Sequence, residues 1–246
     1  MKVESSRSWF GLWLAVALAA HAGLAAQGLT VTGRVILLGA ASRGKSADNS
    51  NAVVFLTPLA GASEFAPARF APPPRRFQIA QKNKRFIPHL LIVPVGAVVE
   101  FPNHDPFFHN VFSLFEGKRF DLGLYEGGAT RAITFSKPGV SYIFCNIHPE
   151  MSAVIIVLEY PYYGVSNVTG EVTLSSVPSG RYQLDVWHER CLPEALKSLS
   201  REIVVSPGSA SIGEVRLPES GDLLTKHKNM YGRDYEPTAQ PYPGAY

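Results

Sequence analysis

The feature that most constrains this chain is a short loop between two runs of apolar, β-branched residues. The runs are Val140–Cys145 and Ala153–Glu159, and both favour strands. Cys145, His148 and Met151 follow one another with the spacing C-x2-H-x2-M. A thiol, an imidazole and a thioether on one turn between strands can face a common point. The loop can therefore supply three ligands to one metal ion.

A further candidate ligand, His109, begins an alternating strand pattern upstream, His109–Phe115. Two imidazoles and one thiolate, with a weak axial thioether, are the ligand set of type 1 (blue) copper. The soft sulfur atoms favour Cu(I), whereas imidazoles bind both oxidation states. We therefore predict one type 1 copper ion at His109, Cys145, His148 and Met151.

The sequence around these residues resembles the cupredoxin family, whose members are plastocyanin-, azurin- and amicyanin-like. It is most similar to exported bacterial proteins labelled methylamine-utilisation or plastocyanin-like. The resemblance rests on three motifs and covers about residues 77–158. The motifs are Phe101-Pro-Asn-His-Asp, His109-Asn110-Val111 and Cys145-Asn146-Ile147-His148-Pro149.

The resemblance implies a role for each residue of the site. His109, Cys145 and His148 would be the equatorial ligands, and Met151 would be the axial ligand. Asn110 would bond to the thiolate sulfur and tie the two loops together. Electrons would leave through the ring edge of His148, the ligand nearest to solvent. An apolar docking rim around it would consist of Phe107, Phe108, Ile147 and Pro149.

Other interpretations of these residues stay open at this point. Cys145 and Cys191 are the two cysteines of the chain, and an exported protein could join them in a disulfide. Zinc is an alternative metal, although it prefers a fourth Cys, His, carboxylate or water ligand. Met151 could serve packing alone, and His109 could be a surface histidine. His104 is the most plausible additional ligand, because it precedes His109 closely.

The N-terminal residues 1–26 have the layout of a secretory signal peptide. A short charged region is followed by the apolar run Trp9–Ala20 and then by small residues. The run is shorter than the roughly 20 residues that span a bilayer. We therefore predict no membrane span and a periplasmic or secreted protein. A cytosolic start with a buried first helix is the alternative.

The charge of the chain is small. Its formal net charge is +3, and removal of residues 1–26 takes away two positive charges and one negative charge, which leaves +2. Such a small excess predicts no nucleic-acid binding.

A second strand pattern follows the copper loop and resembles the carboxypeptidase regulatory-like, or transthyretin-like, β-sandwich. It contains Gly170–Leu174 and Val177–Val186, but the opening strands of such a module are found far upstream. We therefore predict a discontinuous sandwich of residues 28–60 and 160–217, into which a cupredoxin domain of residues 66–159 is inserted. The rival is that residues 28–60 add edge strands to the cupredoxin. Residues 218–246 are expected to be an exposed or disordered tail.

These inferences combine into one expected function. The predicted fold class is all-β, with a Greek-key cupredoxin sandwich and a second, small transthyretin-like sandwich. The protein is expected to be a monomeric one-electron carrier between redox proteins, such as a dehydrogenase and a cytochrome, and not an enzyme. Two alternatives are a periplasmic copper-binding protein for delivery or storage, and a surface or interaction module with a vestigial copper site.

Overall fold

The computed structural model describes residues 28–39, 48–60, 69–70, 76–114, 117–221 and 227–235. The predicted signal peptide lies outside these residues. The first two strands of the described chain are β1 (Leu29–Leu38) and β2 (Val53–Pro58). A third segment of the chain, residues 77–158, then carries the predicted metal ligands and is called the site unit below.

The site unit contains ten strands. They are β3 (Phe77–Gln78), β4 (Ala80–Gln81), β5 (Phe86–Ile87), β6 (Leu90–Pro94), β7 (Ala97–Pro102), β8 (His109–Ser113), β9 (Phe120–Tyr125), β10 (Thr130–Phe135), β11 (Gly139–Phe144) and β12 (Ser152–Leu158). A five-stranded sheet has the order β6-β12-β11-β8-β9, and a three-stranded sheet has the order β10-β7-β3. β4 and β5 form a separate hairpin.

One apolar core joins the two larger sheets of the site unit. Val99 and Phe101 of β7 pack in the same buried cluster as Ile143 of β11 and Ile155 of β12. Cys145 and the rest of the ligand loop lie at the end of this core, so the packing of the two sheets fixes where the loop begins.

Strand β12 is apolar along nearly its whole length because both of its faces are buried. Ile155 points into the core of the site unit, whereas Val154 and Ile156 belong to a second apolar cluster that includes residues such as Val53 and Leu184. A strand buried on both faces reads as a continuous apolar run. The sheet that carries the candidate ligands therefore packs against an apolar cluster on each of its two faces.

The remaining strands build the flanking sandwich, a name used below for β1, β2 and the elements after residue 160. These later elements are β13 (Tyr163–Val165), β14 (Glu171–Val177), β15 (Gly180–Trp187), α1 (Pro193–Ser198), β16 (Arg201–Val205) and β17 (Ser211–Pro218). One sheet has the order β14-β1-β17 and the other the order β13-β2-β15-β16.

The pairing of β1 and β2 bears on the predicted insertion. β1 pairs with β14 and β17, and β2 pairs with β13 and β15. Among the described strands, neither pairs with a strand of the site unit. This pairing is what an inserted cupredoxin requires; the domain boundaries themselves stay a prediction.

The predicted all-β fold class is confirmed, and the sequence analysis missed four of the described elements, the short strands β5 and β13 together with β9 and α1. β9 was not expected, because it contains Asp121 and Gly123, two residue types that are depleted in strands. The helix α1 has only six residues and begins with a proline, so it offers too little helical periodicity to be recognised. None of the helices in the described ranges is long and apolar enough to pass through a membrane.

Candidate metal centre

Two neighbouring strands bring the first two predicted ligands together. His109 is the first residue of β8, and Cys145 directly follows the last residue of β11. Phe144 of β11 pairs with Phe112 of β8, so the end of one strand lies beside the start of the other. The antiparallel sheet thus places residues that are 36 positions apart in the chain within side-chain contact.

The turn from β11 to β12 brings in the third ligand. Cys145 donates its backbone N–H to the carbonyl of Met151 at 3.3 Å, and Met151 donates its own N–H to the carbonyl of His148 at 3.1 Å. These two hydrogen bonds close a tight loop. The imidazole of His148 is therefore turned back towards the sulfur of Cys145.

Three ligand atoms converge at this point. The Cys145 Sγ lies 3.6 Å from the Nδ1 of His148 and 3.9 Å from the Nδ1 of His109. The two Nδ1 atoms are 3.1 Å apart. His109 and Cys145 are buried, and His148 is half-buried.

The residues present fit a copper ion in both spacing and chemistry. Bonds of roughly 2.0–2.3 Å in a trigonal plane put ligand atoms about 3.5–4.0 Å apart. The measured separations of 3.1, 3.6 and 3.9 Å are close to this range. One thiolate and two imidazoles are also the equatorial donors that type 1 copper prefers.

Asp105 orients the ring of His109, and the sequence analysis gave it no role. Its carboxylate lies 2.8 Å from the Nε2 of His109, and both side chains are almost fully buried. When Nε2 carries the proton and donates it to the carboxylate, Nδ1 keeps a free lone pair that faces Cys145. The spacing of four residues between Asp105 and His109 was visible in the sequence, but only the folded loop shows that the two side chains meet.

The hairpin of β4 and β5 holds Asp105 in turn. Its tip contains Asn83 and Lys84, whose φ angles are 55° and 52°. Their backbone N–H groups donate to the two carboxylate oxygens of Asp105 at 2.6 and 3.0 Å. Burial raises the pKa of Asp105, but the hydrogen bonds from Lys84, His109 and Asn83 outweigh it, so the pKa lies below its ordinary value. Asp105 is therefore a stable carboxylate.

Two opposing influences act on the Cys145 thiol. Burial raises its pKa, whereas hydrogen bonds from the backbone N–H groups of Asn110, Ile147 and His148 lower it; the pKa is raised overall. The apo protein thus holds a protonated thiol, and a metal ion must displace that proton when it binds. The N–H groups are already in place to stabilise the thiolate that results.

Asn110 connects the two segments that carry the candidate ligands. Its side-chain oxygen accepts a hydrogen bond of 3.2 Å from the backbone N–H of Asn146, and its amide donates to Asp121 at 2.7 Å. The residue after His109 therefore contacts both the sulfur and the residue after Cys145.

His148 is suited to bind a metal in its neutral form. Burial is the main cause that lowers its pKa below the ordinary value, and the neighbouring His109 lowers it further. A neutral imidazole has a lone pair to offer to a metal, whereas a protonated one does not.

Met151 lies at the base of the loop. It is fully buried and packs in the same apolar cluster as Cys145. This position is compatible with a thioether near the other three ligands and also with simple packing. The axial role of Met151 stays a prediction.

His104, the additional ligand that the sequence suggested, does not belong to this cluster. His104 is exposed, and its backbone N–H bonds to the carbonyl of Gln81. His188 and Cys191 belong to the flanking sandwich. Both cysteines are free thiols, so the alternative of a disulfide is wrong. His21 lies outside the described residues.

The ring of Phe107 lies against both histidines of the cluster. The Phe107 ring lies 5.2 Å from the ring of His109 and 5.8 Å from that of His148, measured between centroids. Phe108 is 55% exposed, and Ile147 and Pro149 are exposed as well. The four predicted rim residues are thus on one or other of the two segments that carry the ligands.

Comparison with known proteins finds structural likeness only. No protein-family model matches the chain, and no curated protein matches it. A copper-containing nitrite reductase from Thermus scotoductus SA-01 is 30% identical, with a TM-score of 0.34, over 39% of this chain and 25% of its own. A purple cupredoxin from Nitrosopumilus maritimus is 26% identical, with a TM-score of 0.31, over 33% of this chain and 99% of its own.

Amicyanin is a third similar structure. A variant in its reduced Cu(I) form at pH 4 is 19% identical, with a TM-score of 0.33, over 39% of this chain and 98% of its own. All three similarities cover less than half of this chain. Because the TM-scores are low, the function proposed below rests on the side-chain geometry.

One expectation from the sequence needs correction. The absence of a recognisable nucleophile led us to expect that the protein is not an enzyme. That exclusion is wrong, because an enzyme, the nitrite reductase, is among the similar structures. The chain spans about a quarter of that enzyme.

Proposed function

We propose that this chain is a copper protein that carries one electron at a time between redox partners. The observation that supports the proposal is the convergence of the Nδ1 atoms of His109 and His148 on the sulfur of Cys145, with Met151 buried beside them. A bound copper ion would supply the chemistry of gaining and losing one electron.

The protein's part in this function is to keep the ligands still. Asp105 fixes the ring of His109, the closed loop fixes His148, and backbone N–H groups surround the sulfur of Cys145. Ligands that are held by such surrounding hydrogen bonds move little when the charge at the site changes. Small rearrangement favours rapid electron transfer, which is the property that a carrier needs.

The proposed route for electrons leads through the ring of His148 to the apolar rim. The rim residue Phe107 contacts the rings of both histidines. Phe108 and Ile147, its neighbour and that of His148 in the chain, expose their apolar side chains. A small apolar patch rimmed by polar residues is suited to brief contact with another protein. We propose a redox protein as the partner and an extracytoplasmic location, as the N-terminal sequence indicates.

We also propose the domain division that the sequence suggested. Residues 66–159 would form the cupredoxin domain, and residues 28–60 and 160–217 would form the sandwich that carries it. The pairing of β1 and β2 with strands after residue 160 supports this division.

A redox-cycling experiment tests the function. The purified protein is loaded with copper, reduced and reoxidised several times, and its copper content is measured after each step. Unchanged copper content with reversible cycling is expected for a carrier. Loss of copper on reduction would favour delivery or storage, and failure to bind copper would favour a surface module. Loading with zinc in competition with copper tests the alternative metal.

A further inference from the structure

The last described residues of the chain lie against the loop that joins β11 to β12 and carries Cys145, His148 and Met151. The sequence of these last residues predicted an exposed tail. The hydroxyl of Tyr235 donates a hydrogen bond of 2.8 Å to the backbone carbonyl of Cys145. The backbone N–H of Met230 donates to the side-chain oxygen of Asn146 at 2.9 Å. Residues 227–235, called the C-terminal clasp below, therefore bond directly to two consecutive residues of the loop.

A ring stack adds a third contact. The imidazole of His227 lies on the ring of Phe144, with centroids 4.0 Å apart and planes at 23°. Phe144 directly precedes Cys145. The clasp thus contacts three successive residues around the proposed thiolate ligand, one by stacking and two by hydrogen bonds.

The clasp has a defined internal structure of its own. The side-chain oxygen of Asn229 accepts hydrogen bonds from the backbone N–H groups of Tyr231 at 2.9 Å and Arg233 at 3.1 Å. The two ends of the clasp meet as well: the Nε2 of His227 lies 2.9 Å from the hydroxyl of Tyr235. The two aromatic side chains that contact the loop therefore support each other.

Asn146 is the point at which three distant segments of the chain meet. Its backbone N–H donates to Asn110, which follows His109, and its side chain accepts from Met230 of the clasp. The clasp, the first ligand strand and the ligand loop are thus connected through one residue. Freeing the clasp would release one side of this junction.

We propose that the C-terminal clasp positions the Cys145 thiol, with Tyr235 as the positioning residue. The inference rests on the proposed function in that it gives Cys145 the role of a metal ligand. The clasp restrains the loop through the carbonyl of Cys145 and the side chain of Asn146, whereas the hydrogen bond from the Cys145 N–H to the carbonyl of Met151 restrains it from within. A thiol that is already in position does not have to rearrange when the metal binds. A loop that is restrained in this way also opens less often, so it releases the metal more slowly.

Thiol alkylation of the metal-free protein tests this proposal. Cys145 is fully buried, so a reagent reaches it only when the loop opens. The variant Tyr235→Phe keeps the ring but removes both contacts of its hydroxyl, the hydrogen bond to the Cys145 carbonyl and the contact with the Nε2 of His227. Since the bond to Cys145, which is the one that reaches the loop, contributes about 1 kcal/mol, we expect alkylation of Cys145 to become about fivefold faster. Mass spectrometry of the digested protein measures each cysteine separately.

Two controls are built into the chain. Tyr231 belongs to the same clasp but is 71% exposed, so Tyr231→Phe should leave the rate at Cys145 unchanged. Cys191 is buried in the flanking sandwich and serves as an internal reference for opening elsewhere. Equal rates at Cys145 in the two tyrosine variants would overturn the proposal. A rise at both cysteines would overturn it too, because it would mean general destabilisation.

A second readout separates this proposal from the proposed function. In copper-loaded protein, Tyr235→Phe should release copper to a chelator about fivefold faster than Tyr231→Phe does. If the protein binds copper but Tyr235→Phe releases it no faster than Tyr231→Phe, the proposal for the clasp is contradicted and the proposed function is not. If the unmodified protein binds no copper, the proposed function fails, and the alkylation rates still decide whether the clasp holds the loop.

Discussion

Each of the two units of this protein contains a buried cysteine and a buried histidine, yet among the described residues only the site unit brings them together in a candidate metal cluster. In the site unit, Cys145 lies within side-chain contact of His109. In the flanking sandwich, Cys191 is equally buried, and His188 lies three residues before it in the chain. The residue types are the same, so the difference must come from the partners of each side chain.

The histidines differ in what their ring nitrogens contact. Both ring nitrogens of His188 are used by the backbone: Nε2 lies 3.2 Å from the carbonyl of Ser50, and Nδ1 accepts from the N–H of Arg190. In His109 one nitrogen contacts the Asp105 carboxylate, and the other faces the sulfur. A buried histidine is available to a metal only when its fold leaves one nitrogen facing other ligands.

The cysteines differ in a similar way. Burial, together with the nearby Glu219, raises the pKa of Cys191 to about 11. Burial also raises the pKa of Cys145, but three backbone N–H groups act against it. The site unit therefore contains hydrogen-bond donors arranged for a thiolate, whereas the flanking sandwich holds a thiol that stays protonated.

The largest expected effect comes from replacing each cysteine in turn. Cys145→Ser should abolish the intense thiolate-to-copper absorption, because the sulfur donor is lost. Cys191→Ser should leave the absorption unchanged. Visible spectra of the two copper-loaded variants measure the difference. Survival of the band in Cys145→Ser would show that the ligand assignment is wrong.

The next largest effect should come from the residue that orients His109. Asp105→Asn should weaken copper affinity about 10- to 100-fold, as the loss of such supporting hydrogen bonds does in other metal sites. The matched control is Glu189→Gln, which removes a carboxylate that bonds to His89, a histidine that is not part of the cluster. Competition with a chelator of known affinity gives both values. Equal copper affinities of the two variants would show that Asp105 does not support the site by orienting His109.

A smaller effect should appear in the pH dependence of folding. Burial lowers the pKa of His188 below its ordinary value of 6.5. The unfolded chain therefore takes up a proton at His188 before the folded protein does, and this part of the stability is present above pH 6.5 and lost as the pH falls below it. His188→Gln should reduce the loss. The urea midpoints of the two metal-free proteins, measured above and below pH 6.5, give this loss of stability. Identical pH profiles of the variant and the unmodified protein would contradict the prediction.

The smallest change should come from the proposed axial ligand. Met151→Leu conserves volume and should cost less than about 1.5 kcal/mol of stability. Copper should stay bound, while the reduction potential rises because a weak donor to Cu(II) is lost. Protein-film or solution voltammetry gives the potential. An unchanged potential would mean that Met151 serves packing alone.

The sequence predicted much of the site because its information is local. Cys145, His148 and Met151 lie within one short loop, and the apolar runs around them have the period of strands. His109 could be added because a strand pattern begins there. The alternation of the other long strands was equally readable, as in β7 and β10.

What the sequence did not reveal depends on contacts between distant residues. The role of Asp105 needs a hairpin turn whose N–H groups hold the carboxylate, and no periodic pattern encodes that turn. The clasp is polar and aperiodic, so its composition indicated an exposed tail. Its contacts are made by single side chains such as His227 and Tyr235, which a hydrophobic pattern cannot register.

The measurement that tests the central claim most directly is a visible absorption spectrum combined with metal analysis of the purified protein. The account predicts one copper ion per chain and an intense band from the Cys145 thiolate bound to Cu(II). It also predicts that the band disappears on reduction and returns on oxidation. Copper bound without this band, or no tight copper binding at all, would contradict the proposal that His109, Cys145 and His148 form a type 1 site.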